Sequence, residues 1–403
     1  MTKMKVDWTK RTVKMWGTME HIYDYFEEKD YFFSREILTR YFLSLKTKPF
    51  VILTGISGTG KTKIAQVFAE YMCQDEKTQE ERESRIAFVP VRPDWMDNKG
   101  LLGYYNLLDE KYYATPVLRL LLEAEEHPEK PYFVILDEMN LAKVEQYFSD
   151  FLSIMESRTP GNPKGEAIPL HALNKPAQTL DGLNIPPKIH VPPNVYFTGT
   201  VNVDESTYMF SPKVLDRANV IEFNEVNLDN YAKGIIPSDH FALKDPDVRQ
   251  RLLPADGDSP FCTKKDFIEA MKVDADVGDY LNELLDILRP FNLHFGYRVI
   301  NEISRYICYA LDAVDKFDLN TVMDIQILQK ILPKFHGAQA RMGEPLSRLF
   351  ASCCNDEDEG ALADDYLRKA AEYNETPPCP RSARKLARMI LNLKSQGYTS
   401  FIE

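Results

Sequence analysis

The octet GISGTGKT, residues 55–62, contains the residue types that could hold a phosphate chain. It follows the apolar run PFVILT, and its glycines allow the backbone to wrap closely around phosphate oxygens. Lys61 would place a positive charge on the β- and γ-phosphates, and the Thr62 hydroxyl would reach Mg²⁺. The stretch TKIAQVFAEYM after it has helical spacing, so a helix N-terminus would face the phosphates. We therefore predict a phosphate-binding loop made of Gly55, Ser57, Gly58, Thr59, Gly60, Lys61 and Thr62.

Two carboxylates end a second apolar run, PYFVILDEMN, at residues 131–140. Asp137 at the end of this predicted strand is placed to hold Mg²⁺, together with Thr62. Glu138 would orient and deprotonate an attacking water. Hydrolysis of a γ-phosphate needs positioning and charge stabilisation, and these two groups supply both. The alternative, two ordinary acids facing solvent, does not explain why they directly follow a buried strand. The pair therefore favours a hydrolase.

Three further polar residues are candidates for the same chemistry. Asn202 ends the predicted strand NVYFTGTVN, at the sheet edge where ligands of open parallel sheets lie. It could polarise the attacking water, although such an asparagine is more often a turn residue. Arg217, in SPKVLDRANVIEF, could enter a neighbouring subunit's site as an arginine finger, or simply pair with Asp216. Arg298, in HFGYRVINEI, could close onto the γ-phosphate, or be a surface arginine.

The elements that must position these residues follow a regular order. Five short apolar runs alternate with helical patterns between residues 48 and 230, which indicates a parallel five-stranded sheet with helices on both faces. A stretch rich in Pro, Gly and Asn at about 160–193 predicts a hairpin-type insertion. We expect three parts: a helical lead-in at 1–47, the α/β nucleotide-binding domain at 48–230, and a helical lid domain at 231–403.

Composition limits the classes of function. The chain has 403 residues, 44% hydrophobic and 27% charged, which is typical of a soluble globular protein. It has neither an apolar run long enough to cross a membrane nor a signal peptide, so we expect a cytoplasmic protein. Six cysteines without C-x-x-C spacing are expected to be reduced. A net charge of −12 argues against broad DNA affinity but leaves a local contact open.

Taken together, these motifs resemble those of an AAA+ ATPase. GISGTGKT resembles Walker A and VILDEMN resembles Walker B, while Asn202 matches the first sensor, Arg217 the arginine finger and Arg298 the second sensor. The resemblance is to the McrB-like branch and its MoxR-like, dynein-related neighbours. It rests on DWMDNKGLLGYYN at 94–106, on GTVNVDES, and on the C-terminal stretches KILPKFHGAQARM and SARKLARMILNLKSQGYTSFIE. The implied fold is a P-loop AAA+ core followed by an all-helical lid domain.

The sequence departs from the McrB pattern at one point that bears on the substrate. McrB-like proteins carry a signature close to MNTADRS, whereas this chain has VNVDES, which keeps Asp204 but has Glu205 where the arginine stands. The substrate is therefore expected to be ATP or GTP, with Mg²⁺ as cofactor. The lead-in is too short for a domain that reads modified DNA, so target recognition is expected either on another chain or not at all.

The resemblance implies a homo-oligomer, a ring of six, that converts hydrolysis into movement. The first role it suggests is the motor of a DNA restriction or phage-defence system, working with a separate, McrC-like nuclease. The alternatives are a MoxR-like ATP-driven chaperone that remodels a protein partner, and a slow nucleotide-gated binding module, against which Glu138 and Asn202 count. Sparse basic residues of the insertion could contact DNA in a pore, or be solvated loop charges: Lys164, Lys175, Lys188, His171 and His190.

Overall fold

The computed structural model describes residues 21–76, 78–159, 161–203, 208–224, 241–254, 259–354 and 377–402. Within these ranges, no helix has both the length and the apolar character needed to cross a membrane. All six cysteines lie in this part of the chain and none forms a disulfide.

The strands are numbered in chain order. They are β1 (Phe50–Gly55), β2 (Ile86–Pro90), β3 (Gly103–Asn106), β4 (Lys111–Ala114), β5 (Tyr132–Asp137), β6 (Ile168–Pro169), β7 (Ala177–Gln178), β8 (Asn184–Ile185), β9 (Lys188–Ile189), β10 (Val195–Asn202), β11 (Asn219–Glu222), β12 (His336–Ala338) and β13 (Tyr398–Ser400).

The α-helices of the described ranges are α1 (Ile22–Glu28), α2 (Arg35–Thr47), α3 (Lys61–Met72), α4 (Gln79–Ser84), α5 (Lys99–Leu102), α6 (Pro116–Glu126), α7 (Val144–Tyr147), α8 (Ser149–Ser157), α9 (Pro212–Leu215), α10 (Lys264–Val273), α11 (Asp276–Leu288), α12 (Tyr297–Ala313), α13 (Leu319–Gln326), α14 (Gln339–Cys354) and α15 (Pro380–Gln396). Short 3₁₀ turns lie at Met139–Leu141, Arg289–Phe291 and Leu332–Lys334, and a π-helical turn lies at Ile327–Ile331.

A five-stranded parallel sheet forms the centre of the molecule, with the order β11–β1–β10–β5–β2. Its strands are the five apolar runs identified in the sequence. All six residues of β1 are buried, as are seven of the eight in β10, because helices cover both faces. Pairing of β1 with β10 places Gly55 opposite Asn202. This register brings the start of the phosphate-binding loop next to the end of β10.

Helices cover the sheet because each carries an apolar stripe. In α6, Thr115 caps the N-terminus, Pro116 occupies the first turn, and Val117, Leu118 and Leu121 are buried. Helix α3 packs on β1, β5 and β10, and α2 packs on β1 and β11. The core is therefore continuous from the sheet into both helical layers.

Two hairpins project from the sheet domain. One consists of β3 and β4, and its tip exposes Leu107 and Leu108, which are 81% and 95% accessible. The other lies within residues 161–193, where the β6–β9 and β7–β8 ladders are nested, both antiparallel. The second hairpin falls in the stretch where an insertion was expected from the Pro, Gly and Asn content.

The C-terminal part is mainly helical, from α10 to α15. It also contains an antiparallel ladder, β12–β13, which an all-helical lid does not include. The ladder forms because Gly397, with φ of 72°, ends α15 and turns the chain back along residues 336–338. Helix α12 packs against α2 and α10, and α15 packs against α14.

Candidate functional site

The glycines of the phosphate-binding loop are required by its geometry. Gly55 has φ of 144°, and a Cβ there would lie 2.3 Å from the carbonyl oxygen of Phe223. Gly60 has φ of 93°, and a Cβ there would lie 2.8 Å from the ring of Phe33. Only glycine meets both conditions. The loop then enters α3 at Lys61, so the helix N-terminus faces the enclosed space.

The Lys61 ammonium lies inside this loop. Its side chain is buried, and Nζ donates to the carbonyl oxygens of Gly55 at 2.8 Å and Ile56 at 2.6 Å. The Ile56 N–H in turn donates to Asn224 Oδ1 at 3.1 Å, just beyond β11. The loop is thus fixed from both sides, with a positive charge at its centre. This arrangement suits a polyphosphate.

Asp137 is the meeting point of the loop and the sheet. Its Oδ1 accepts hydrogen bonds from Thr62 Oγ1 at 2.8 Å and from Thr200 Oγ1 at 2.7 Å. The Thr200 hydroxyl also accepts from the backbone N–H of Glu138 at 3.0 Å. Thr200 therefore ties the two carboxylate-bearing residues together.

Thr200 is a residue that the sequence reasoning missed. A signal for it exists: Thr200 lies two positions before Asn202 in a strand, so both side chains belong on the same face of the sheet. A hydroxyl on that face, near the carboxyl end of β10, is within reach of whatever ends the neighbouring strand β5.

Glu138 has an unusual backbone. Its φ of 51° and ψ of 49° place it in the left-handed region, where residues other than glycine are strained. Its carboxylate accepts from Asn202 Nδ2 at 3.3 Å. This left-handed conformation turns the Glu138 side chain towards the edge of the sheet where Asn202 and the phosphate-binding loop lie. Such strain is found at functional sites because the surrounding contacts hold it.

These groups fit a Mg²⁺ site of the kind that shares its ligands with phosphates. A hydroxyl at Thr62 and a carboxylate at Asp137 are hard oxygen donors 2.8 Å apart. Within the described ranges no cluster of three His, Cys, Asp or Glu forms a metal site. A hydroxyl, one carboxylate and substrate oxygens are the donors that Mg²⁺ takes in phosphoryl-transfer sites.

Arg217 lies at the opposite edge of the sheet from the loop. It follows α9 and precedes β11, whose carboxyl end, near Asn224, is the end that meets the loop. Its Nη2 pairs with Glu156 Oε2 at 2.5 Å. The guanidinium therefore cannot reach this chain's own phosphate-binding loop from its present position, and it is partly accessible from outside.

Arg298 lies beside Arg217 and away from the loop residues. Its guanidinium pairs with Glu156 and with Asp216. It occupies this position because α12, which carries it, packs on α2 and α10 and is tied through Glu302 to Lys48, just before the amino end of β1. The structure thus brings the predicted second sensor together with the predicted finger, and not with Lys61, Glu138 and Asn202.

Helix α15 supplies basic residues at the loop edge that the sequence reasoning missed. Lys385 pairs with Glu222 at 2.6 Å, at the end of β11. Arg388, one turn further on and exposed, lines a cavity together with Glu222 and Asn224. The signal was the spacing of Arg381, Lys385 and Arg388 in RSARKLAR, which are four and three positions apart and share one helix face.

Asp204 and Glu205, which decide how closely VNVDES follows the McrB signature, lie outside the described residues. Among the basic residues of the insertion, Lys164 pairs with Glu125, and His171 packs against the rings of Tyr105 and Tyr112.

Comparisons with known proteins give one family match and one curated relative. Residues 248–398 match a family described as "Domain of unknown function (DUF8727)". Over 164 residues, 39% of this chain, the sequence is 27% identical to the "Type IV methyl-directed restriction enzyme EcoKMcrB subunit" of Escherichia coli (strain K12). The match spans 31% of that relative, so the chain covers about a third of its length.

Among solved structures, the chain is similar to one described as "S. cerevisiae Hsp104-ADP complex". The TM-score is 0.27 at 16% identity, covering 52% of this chain and 36% of that chain. The fold assignment rests instead on the strand order, the flanking helices and the loop geometry.

The sequence match with McrB and the strand order of the sheet both indicate the same fold. The chain has an α/β core of the AAA+ type, with a five-stranded parallel sheet and a helical C-terminal region, and it resembles the McrB-like AAA+ ATPases. The predicted α/β fold, with a parallel five-stranded sheet followed by a helical region, is confirmed, and the helical region also contains the β12–β13 ladder.

Proposed function

We propose that this chain is a Mg²⁺-dependent nucleoside triphosphatase that works as an oligomeric AAA+ motor. The observation that carries the proposal is the chain of contacts at the carboxyl edge of the sheet. Thr62, Asp137 and Thr200 are joined through one carboxylate oxygen, and Glu138 and Asn202 are joined beside them. Loop, metal ligands, base and sensor therefore share one edge of the sheet.

Each residue has a role that follows from its position. The loop from Gly55 to Thr62 encloses the phosphates with backbone N–H groups, and Lys61 neutralises their charge. Thr62 and Asp137 would hold Mg²⁺, which supplies charge neutralisation at the β- and γ-phosphate oxygens. Glu138 accepts a proton from the attacking water, and Asn202 holds the Glu138 carboxylate in position through its amide.

The arginines suggest why an oligomer is needed. Arg217 and Arg298 lie together at the edge opposite the loop, where they are too far from this chain's own phosphates to assist them. In a closed head-to-tail ring, this edge of one subunit faces the loop edge of the next. Arg217 would then stabilise the transition state in its neighbour's site. A ring of six remains the proposed assembly, with a cytoplasmic location.

For the biological role we propose the motor subunit of a DNA restriction or phage-defence system, acting with a separate McrC-like nuclease. The support is the sequence match with the E. coli protein, which is a subunit of a methyl-directed restriction enzyme. The substrate is ATP or GTP, and DNA in the pore is part of this proposal.

A second role, an ATP-driven chaperone that remodels a protein partner, has its own support. Leu107 and Leu108 are exposed at the tip of the β3–β4 hairpin. The acidic residues Asp109 and Glu110 follow them directly in the same loop. Two of the basic residues considered for DNA contact, Lys164 and His171, are engaged with neighbours. An apolar, partly acidic tip suits a polypeptide better than a phosphate backbone.

The experiment that tests the proposal is phosphate release by the purified chain with Mg²⁺ and equal concentrations of ATP or GTP. We expect Glu138→Gln to keep nucleotide binding and to lower kcat by about 10²-fold or more, because a general base is lost. Glu145→Gln is the matched control, since Glu145 is an exposed glutamate on α7. Turnover of Glu138→Gln at the wild-type rate would remove the proposed base.

The same assay compares the two nucleotides. A strong preference for GTP would favour the restriction motor. A strong preference for ATP would leave the proposed site intact and favour the remodelling role.

A further inference from the structure

A buried lysine outside the proposed site donates hydrogen bonds to the backbone on both sides of Arg217. Lys330 lies on the π-helical turn Ile327–Ile331, and its side chain is fully inaccessible to solvent. Its Nζ donates to the carbonyl oxygen of Asp216 and to that of Ala218, both at 3.0 Å. The carbonyl groups of the residues immediately before and after Arg217 therefore bind the same ammonium.

The third partner of this ammonium is a buried carboxylate. Lys330 pairs with Oε2 of Glu302, which lies on α12, one turn after Arg298. The ammonium donates hydrogen bonds to the two carbonyl oxygens, and its third partner is the Glu302 carboxylate, with which it forms an ion pair. A charged group is tolerated in such a buried position only when it is fully paired, so the arrangement depends on all three contacts.

The network also reaches the strand that leads to the phosphate-binding loop. The other carboxylate oxygen of Glu302 pairs with Lys48, two residues before β1. Within the described residues, the Lys48 ammonium contacts Glu302 and not the turn that bears Arg217. The Glu302 carboxylate thus connects the segment before β1, through Lys48, to the turn that bears Arg217, through Lys330.

We propose that Lys330 is a positioning residue for Arg217, holding the Asp216–Ala218 turn so that the guanidinium can enter a neighbouring subunit's site. This inference rests on the proposed role of Arg217 in trans. The Asp216 carbonyl belongs to the peptide group directly before Arg217, and the Ala218 carbonyl belongs to the peptide group one residue beyond it. Lys330 therefore holds the turn on both sides of Arg217, and the course of this turn sets the direction of the Arg217 side chain. The π-helical turn widens the helix at this point, as is common where a side chain must serve a function.

The side chain of Arg217 itself stays movable under this arrangement. In the isolated chain it pairs with Glu156, which an incoming phosphate can replace, whereas its backbone is held independently of Glu156. Loss of Lys330 should therefore resemble loss of Arg217 in its effect on neighbours, and should leave the chain's own hydrolytic groups in place.

The test mixes variants in pairs and measures phosphate release. Lys330→Met keeps the length and apolar stem and removes the three donors. We expect it to lower kcat by about 10- to 100-fold, as expected for a misplaced catalytic group. Mixing it with Glu138→Gln should restore activity, because the second protein supplies Arg217 to the intact site of the first. Mixing it with Arg217→Ala should restore nothing, because neither protein supplies a working arginine.

Lys48→Met is the matched control, since it removes the other lysine of the same carboxylate. We expect Lys48→Met to restore activity when mixed with Arg217→Ala, because its Arg217 turn is still held. Melting temperature and gel filtration are measured for every variant first. Should Lys330→Met lose its fold, Lys330→Gln, whose shorter and uncharged side chain keeps two N–H donors, is tested in the same mixtures with the same expected results.

The outcomes separate this inference from the proposed function. If Arg217→Ala is not rescued by Glu138→Gln, the shared site itself is refuted. If that pair is rescued but Lys330→Met has wild-type activity, or is rescued by Arg217→Ala, or is not rescued by Glu138→Gln, the shared site stands and the positioning role of Lys330 is wrong.

Discussion

Thr200 shows how a single hydroxyl can join two catalytic carboxylates. It donates to Asp137 and accepts from the backbone N–H of Glu138, so it fixes the strained residue directly after the strand. Valine has nearly the same shape and lacks both hydrogen bonds. The substitution therefore isolates the contribution of the hydroxyl.

We expect Thr200→Val to lower kcat by about 10-fold while changing nucleotide affinity little, since losing a hydrogen bond to a charged group costs about 1.5–3 kcal/mol. Phosphate release and nucleotide titration measure the two effects. Thr198→Val, two residues earlier on the same strand face, is the control. Thr198 shares a hydrogen bond of 2.7 Å with the Tyr41 hydroxyl, so its loss should lower stability and leave kcat unchanged. Equal kcat for Thr200→Val and wild type would contradict the role of Thr200.

At the scale of elements, the central strand β10 and the turn after β5 fit closely together. Gly199 lies in the middle of β10, and a Cβ there would lie 1.9 Å from Met139 Sδ and 3.0 Å from its Cγ. Met139 is buried and directly follows Glu138. The absence of a side chain at Gly199 therefore determines where the turn carrying Glu138 can pack.

We expect Gly199→Ala to lower the free energy of unfolding by about 1–3 kcal/mol, the usual cost of overpacking a core. It should also lower kcat, because a displaced Met139 moves Glu138. Urea unfolding and phosphate release provide the measurements. Gly161→Ala is the control, since a Cβ at Gly161 has no neighbour within 4 Å among the described residues. A variant at position 199 with wild-type stability would show that Met139 moves aside without cost.

At the scale of the whole molecule, buried charges connect the helical region to the sheet. Burial raises the pKa of Glu302, but the two ammonium groups of Lys330 and Lys48 outweigh this effect and lower it to about 2. The three residues come from α12, the π-helical turn and the segment before β1. Their pairing holds the parts of the chain that bear Arg298, Arg217 and the loop in one arrangement.

This pairing predicts how stability depends on pH. Because the pKa of Glu302 in the folded chain is below its ordinary value of 4.5, its charged form stabilises the fold fully above that pH. The contribution is lost as the pH falls from 4.5 towards 2. We expect the free energy of unfolding of wild type to fall more steeply over this range than that of Glu302→Gln, measured by urea unfolding at each pH. Parallel pH profiles for the two proteins would contradict the prediction.

The sequence by itself determined the fold class and the residues at the loop edge. The five apolar runs became the five strands of the sheet, since a parallel strand covered on both faces needs an unbroken apolar sequence. GISGTGKT determined the loop because only glycine fits its φ values and close contacts. Asp137 and Asn202 could be placed because each ends a parallel strand, and Glu138 because it directly follows one, and such ends share one edge.

Tertiary structure alone decided the contacts between residues distant in the sequence. Thr200 joins Asp137 to Glu138 through the pairing of β10 with β5, and no local pattern contains that register. Arg298 lies with Arg217, and Arg388 lies near the loop, because of how α12 and α15 dock on the sheet domain. Helical spacing in the sequence fixes which face of a helix is apolar. The element that this face packs against is decided only when the whole core assembles.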